Sequence, residues 1–190
     1  KGIQKRMMAS HVHKEDAHDH HDEKNTKEGT PDPHIWLDPI LVKTQAFNIA
    51  QALMETFPEN RSLYEANLKE FQARLDELDK EFKDIFSNLS SRKFMIFHPA
   101  FGYFASRYNL EQIPIEIEGK DPKPAQLAKL IELAKEEGIR FIFVAPQFST
   151  KSAQIIAKEI SGEVVMLNPL VYEWEKEMRK NATILAETLK

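Results

Sequence analysis

Seven histidines and no cysteine define the metal chemistry open to this 190-residue chain. A transition-metal site without thiolates must be built from imidazole and carboxylate. Two of the histidines stand apart. His34 lies in Pro31-Asp32-Pro33-His34-Ile35-Trp36-Leu37-Asp38-Pro39, where Asp32 and Asp38 are close enough in sequence to orient an imidazole, as outer carboxylates orient ligating histidines. His98 follows an apolar run and leads into Pro99-Ala100-Phe101-Gly102-Tyr103-Phe104. A lone histidine is more often structural than functional, but a pair of neutral imidazoles is a common half of a zinc site. A four-coordinate ion then needs two or more further donors. Glu116, Glu118, Asp121 and Asn168 are available downstream. The wide sequence gap between His34 and His98 points to a site at the junction of two structural units.

The other five histidines, His11, His13, His18, His20 and His21, are interleaved with Glu15, Asp16, Asp19 and Asp22. A flexible array of this kind binds zinc, nickel or copper weakly, in many geometries. A solvated linker is the plainer reading, and an affinity tag fits poorly because tags are uninterrupted runs. Auxiliary metal capture is the reading favoured here. Catalytic motifs are missing: there is no His-Glu-x-x-His, nucleophile elbow, phosphate loop or dinucleotide fingerprint. Ser149 and Thr150 read as helix caps rather than as a catalytic hydroxyl pair.

Several elements must position these residues. Residues 1–10 read as the end of an element that begins upstream. Residues 11–33 hold almost nothing apolar and are expected to be a mobile loop. Residues 34–37 form a short strand-like run. Asp38-Pro39 then starts a helix over 39–57, with Leu41, Phe47, Ile49, Ala50, Leu53, Met54 and Phe57 available for burial. Tyr64, Leu68, Phe71, Leu75, Leu78, Phe82, Ile85 and Leu89 recur at alternating steps of four and three. They predict a helix over 59–88, about 45 Å long at ~1.5 Å per residue. Its stripe fits a strut between two units or, alternatively, a dimeric coiled coil.

Strands are expected at 94–97, 112–117, 141–144 and 164–167, alternating with helices at 100–107, 124–137, 150–160 and 172–189. This order implies a parallel βαβ sheet with helices on both faces. Ligands in such sheets sit at the carboxyl ends of strands, where His98 and Asn168 fall.

The bulk composition is ordinary for a globular domain. A net charge of −4 argues against a nucleic-acid partner. Hydrophobic content of 42% allows a sizeable core, and no apolar run approaches the roughly 20 residues that span a bilayer.

The ordered motifs Asp32-Pro33-His34-Ile35-Trp36-Leu37-Asp38-Pro39, Pro58 with Tyr64 and Asn67, His98 through Phe104, Glu118-Gly119-Lys120-Asp121-Pro122-Lys123-Pro124, Pro146-Gln147-Phe148-Ser149 and Asn168-Pro169-Leu170 resemble the zinc-binding solute-binding proteins of bacterial ABC transporters, the ZnuA and TroA-like family. The resemblance implies an α/β, two-lobed fold with one long linking helix and metal in the cleft. It divides the chain into a remnant N-terminal lobe at 1–57, a linking helix at 58–89, and a C-terminal lobe at 90–190 with a four-stranded parallel sheet. A first histidine ligand is expected upstream of Lys1.

By motif, His34 and His98 are the second and third ligands. A histidine at the third position resembles the zinc branch, so Zn2+ is expected over Mn2+. The family often places Asp before the Pro-Leu pair. Asn168 stands there, and a neutral amide is a poor zinc ligand. The implied function is extracytoplasmic zinc capture and delivery to a membrane permease, without catalysis. The implied location is the periplasmic or extracellular face of the cytoplasmic membrane, and the full-length protein is expected to be a monomer. The competing reading is a zinc hydrolase using His34, His98 and Glu116 as base.

Overall fold

The computed structural model describes residues 2–8, 30–117 and 119–190. The five tract histidines and Glu118, a possible donor, lie outside the described residues. Either side of the tract, residues 6–8 and 30–32 run antiparallel. The Met8 N–H donates to the Thr30 carbonyl at 3.0 Å and the Asp32 N–H to the Arg6 carbonyl at 2.9 Å. Met7 and Pro31 form the bridge between them.

Residues Ile35–Leu37 form a single 3₁₀ turn instead of the expected strand. The cause is local. The Ile35 N–H donates to the Pro33 carbonyl at 2.8 Å, and Asp32 Oδ1 accepts from the His34 N–H at 3.0 Å. With Pro33 and Pro39 on either side, donors for a sheet ladder are scarce and the remaining ones close on their neighbours.

Helix α1 (Pro39–Thr56) starts as expected: Asp38 accepts from the N–H groups of Ile40 at 2.8 Å and Leu41 at 3.3 Å. The same oxygen takes Arg107 Nε at 2.5 Å, so Asp38 serves α1 and not His34. Burial pulls the Arg107 guanidinium down, but its hydrogen bond and Coulombic attraction to Asp38 outweigh this and hold it above its ordinary value. Asp38→Ala removes a cap and strands a half-buried cation. The expected loss is about 2 kcal/mol, checked by urea denaturation. Of the α1 residues available for burial, Ala50 and Met54 are buried, whereas Phe47, Ile49 and Phe57 are exposed. Helix α1 packs chiefly on one partner, which covers one face.

That partner is α2 (Arg61–Ile85), about 37 Å long at ~1.5 Å per residue. The predicted stripe is present, and it divides its work. Tyr64, Leu68 and Phe71 line a groove with Val42, Ile49 and Leu53 of α1. Leu75, Leu78 and Phe82 are fully buried, in the part of α2 that runs on into the C-terminal unit. The C-terminal half of the stripe is buried within the chain, whereas Tyr64, Leu68 and Phe71 remain half-buried along the groove.

The C-terminal unit follows the expected alternation. Its elements are β1 (Lys93–Ile96), α3 (Gly102–Arg107), β2 (Glu111–Pro114), α4 (Pro124–Glu136), β3 (Phe141–Val144), α5 (Lys151–Glu159), β4 (Glu163–Met166) and α6 (Trp174–Thr188). The four strands are parallel in the order β2-β1-β3-β4. Along β1, successive side chains enter opposite cores. Phe94 and Ile96 join Leu78, Phe82, Phe86, Phe104 and Leu185 on one face, and Met95 and Phe97 join Leu130, Ala134 and Ile156 on the other. Gly138, at φ +64°, closes α4 from the expected position. Thr150 stands at the α5 cap position but makes no side-chain cap bond; the adjacent Ser149 Oγ accepts from the Lys151 N–H at 3.4 Å.

Asp79 of α2 is buried and satisfied by Lys83 Nζ at 2.6 Å and by the Tyr108 hydroxyl at 3.2 Å. Burial, reinforced by Asp79, raises the Tyr108 pKa far above the usual phenol range and keeps that hydroxyl a donor. Among the described residues, no helix is long and apolar enough to cross a membrane.

Candidate metal centre

His34 and His98, 64 residues apart, meet with their Nε2 atoms 3.2 Å from each other. Each imidazole is held from behind. His34 Nδ1 lies 2.7 Å from Asp32 Oδ1, and His98 Nδ1 lies 2.8 Å from Glu116 Oε1. Asp32 and Glu116 are both buried, at 4% and 7% exposure. A carboxylate that accepts a hydrogen bond from Nδ1–H favours the tautomer with Nε2 free as the acceptor, which is the arrangement of a carboxylate–histidine–metal triad. Two nitrogens bound tetrahedrally to zinc at ~2.05 Å stand about 3.3 Å apart. The observed separation fits one ion bridging the two rings.

The sheet builds the His98 half. In the parallel register Lys93 pairs with Glu111 and Ile96 with Pro114. The same offset, continued two residues past the strand ends, sets Glu116 beside His98, and the Glu116 N–H donates to the Phe97 carbonyl at 3.1 Å. Gln112 of β2 clamps the turn after His98: its Oε1 accepts from the Phe101 N–H at 2.8 Å and its Nε2 donates to the Pro99 carbonyl at 3.1 Å. Phe148, just beyond β3, stacks on the His98 ring at 4.5 Å and 21°.

The His34 half is tied across from the opposite side. Trp36 packs edge-on to His34 at 5.2 Å, and its indole N–H donates to the Pro169 carbonyl at 2.9 Å. Trp174 Nε1 donates back to the Trp36 carbonyl at 2.9 Å. The two tryptophans, the whole complement of the chain, thus lock the His34 loop to the segment after β4.

A family model described as the periplasmic zinc-uptake complex component A matches residues 1–188. The chain belongs to this ZnuA family. The high-affinity zinc uptake system protein ZnuA of Bacillus subtilis (strain 168) is 38% identical over 141 residues, which are 73% of this chain and 44% of that protein. A crystal structure of ZnuA superposes with a TM-score of 0.89 at 43% identity, covering 100% of this chain and 69% of that chain. A ZnuA deletion mutant with zinc bound superposes at 0.87 and 41% identity, covering 100% of this chain and 67% of that one. The chain spans less than half the length of the B. subtilis relative.

Not every candidate donor in this ZnuA-family chain reaches the two imidazoles. Asn168 sits past β4 as expected, but its Oδ1 accepts from the Leu170 N–H at 3.1 Å and from Gln147 Nε2 at 3.2 Å, and its backbone is bound by Asn181. Asp121 accepts from the buried Ser152 hydroxyl at 2.7 Å, pinning its loop to α5. Among the described residues, no third His, Asp or Glu completes a metal-binding cluster. Gln112 carried no signal in the sequence, and Phe148 stood in the Pro146-Gln147-Phe148-Ser149 motif without any sign that its ring stacks on His98.

Proposed function

We propose that this chain captures zinc through His34 and His98 and serves, outside the cytoplasmic membrane, as the solute-binding component that delivers the ion to an ABC transporter permease. The observation that carries the reading is the pair of Nε2 atoms 3.2 Å apart, each imidazole backed by a buried carboxylate. Paired imidazoles favour zinc over manganese, which prefers oxygen donors. Helix α2 acts as the strut between the unit carrying His34 and the C-terminal unit carrying His98. Asn168, its amide oxygen engaged by Leu170 and Gln147, is a poor further donor, and remaining coordination positions are filled by water or by donors outside the described residues. The tract histidines His11, His13, His18, His20 and His21 act as an auxiliary, weaker capture array.

Competition against a chromophoric chelator tests this directly. Zinc is expected to bind one tight site, with manganese at least tenfold weaker; equal affinities would sink the assignment. The hydrolase alternative makes Glu116 a general base. Glu116 instead stands behind His98, against Nδ1 and away from the converging Nε2 atoms. Glu116→Gln should therefore cut zinc affinity by roughly 10–100-fold by misorienting His98. A base would leave affinity intact and remove only turnover of ester or phosphate substrates.

A further inference from the structure

We propose that Arg6 is a positioning residue for the metal site, acting through Asp32 to hold His34 against His98. The inference rests on the zinc-capture reading and adds a residue outside the motifs named above.

Asp32 has two carboxylate oxygens with different fates. Oδ1 is committed to His34, accepting from its backbone N–H at 3.0 Å and meeting its Nδ1 at 2.7 Å. Oδ2 is buried and makes no hydrogen bond within the described residues. The cation facing it is Arg6, with Nε at 3.7 Å. Arg6 Nη1 is likewise buried and without a hydrogen-bond partner. The Asp32 carboxylate, 1% exposed, therefore depends on a cation whose side chain is 31% exposed, and removing Arg6 leaves the buried oxygen uncompensated.

Their meeting place is built by the motif that carries His98. Gly102 lies beneath the pair: a Cβ there would strike Arg6 Nη1 and would come within 2.8 Å of Asp32 Oδ2. Next to it, Tyr103 stacks its ring on the Arg6 guanidinium at 5.6 Å, accepts from the Arg6 N–H at 3.0 Å and donates to the Asp32 carbonyl at 3.3 Å. The Asp32 N–H returns to the Arg6 carbonyl at 2.9 Å. Arg6, Asp32 and Tyr103 thus form a closed ring of contacts. One edge of that ring aims His34, and the other is anchored to α3, just past His98. A side chain at 102 would compete with the guanidinium and the carboxylate for the same space. Arg6 is placed to aim His34 through the second oxygen of the carboxylate that backs it.

The test compares Arg6→Met, Arg6→Lys, Asp32→Asn and the Arg6→Met/Asp32→Asn pair in this chain. Zinc affinity is measured by chelator competition, and hydrogen exchange at the His34 amide is followed without metal. Arg6→Met should weaken zinc about tenfold and speed exchange at His34, and Arg6→Lys should recover most of both. The double variant should bind no more weakly than Asp32→Asn alone, because both changes break one path. Unchanged affinity in Arg6→Met, or losses that multiply in the pair, would overturn the proposal. If the unaltered chain binds no zinc, the functional reading fails. Exchange at His34 then judges the Arg6 role by itself, and unchanged protection in Arg6→Met refutes it.

Discussion

Saturating zinc is expected to raise the Tm of this chain by about 5–10 °C, and His98→Ala to erase nearly all of that gain. A ligand held only by the folded state contributes RT ln(1 + [L]/Kd), which is about 2.7 kcal/mol at a hundredfold excess over Kd. For a chain of this size each kcal/mol moves Tm by roughly 2–4 °C. Even a hundredfold loss of affinity in the variant would leave only ~0.4 kcal/mol at the same zinc concentration. Both proteins carry the same tract histidines, so any zinc taken up there contributes equally to the two shifts and drops out of the comparison. The comparison must be the zinc-induced shift of each protein and not its absolute Tm. His98→Ala also strips the stack on Phe148 and leaves the buried Glu116 without its partner, so its metal-free Tm falls as well. Equal zinc-induced shifts in calorimetry would remove His98 from the site.

The largest stability effect is expected at Phe104. Its ring is fully buried and contacts Phe82 at 5.7 Å, Phe86 at 5.6 Å, Phe101 at 5.9 Å and Tyr108 at 4.8 Å. This aromatic cluster joins α2 to α3, the helix that begins four residues past His98. Truncation to alanine forfeits the transfer energy of the ring and opens a cavity that rigid neighbours cannot fill. The cost should be about 3–5 kcal/mol, a Tm drop on the order of 10 °C. Thermal denaturation followed by circular dichroism measures it. A loss under about 1 kcal/mol would show that the cluster collapses around the gap and that α2 and α3 are joined by other contacts.

The elements were readable because their signals are local. The steps of four and three along α2 require only that one helical face be buried, and the strand–helix alternation leads to parallel pairing with few alternatives. The Asp38-Pro39 start of α1 and the Gly138 end of α4 are set by backbone chemistry within one turn. The misreading at Ile35–Leu37 has the same scale. A short apolar run does not distinguish strand from turn, and here the hydrogen bonds of Asp32 and Pro33 decided it.

The site divides differently. His34 and His98 stood out by residue type, by flanking prolines and by placement after a strand, and the missing cysteines left imidazole and carboxylate as the available donors. Their partners were not legible. Glu116 was one of four polar candidates until the β1–β2 register set it behind His98. Asp32 and Asp38 flank His34 alike in sequence, but one aims the imidazole while the other caps a helix and holds Arg107. Asn168 sits at the expected strand end, yet its amide oxygen is spent on Leu170 and on Gln147 of the loop after β3. Arg6 carried no signal, because its role depends on an antiparallel pairing across the tract and on the space left by Gly102. Sequence determined the donor types and the elements that carry them, since propensity and patterning act over a few residues. Tertiary structure decided which carboxylate backs which histidine and how closely the two rings approach, since those distances follow from strand register and from packing between segments far apart in the chain.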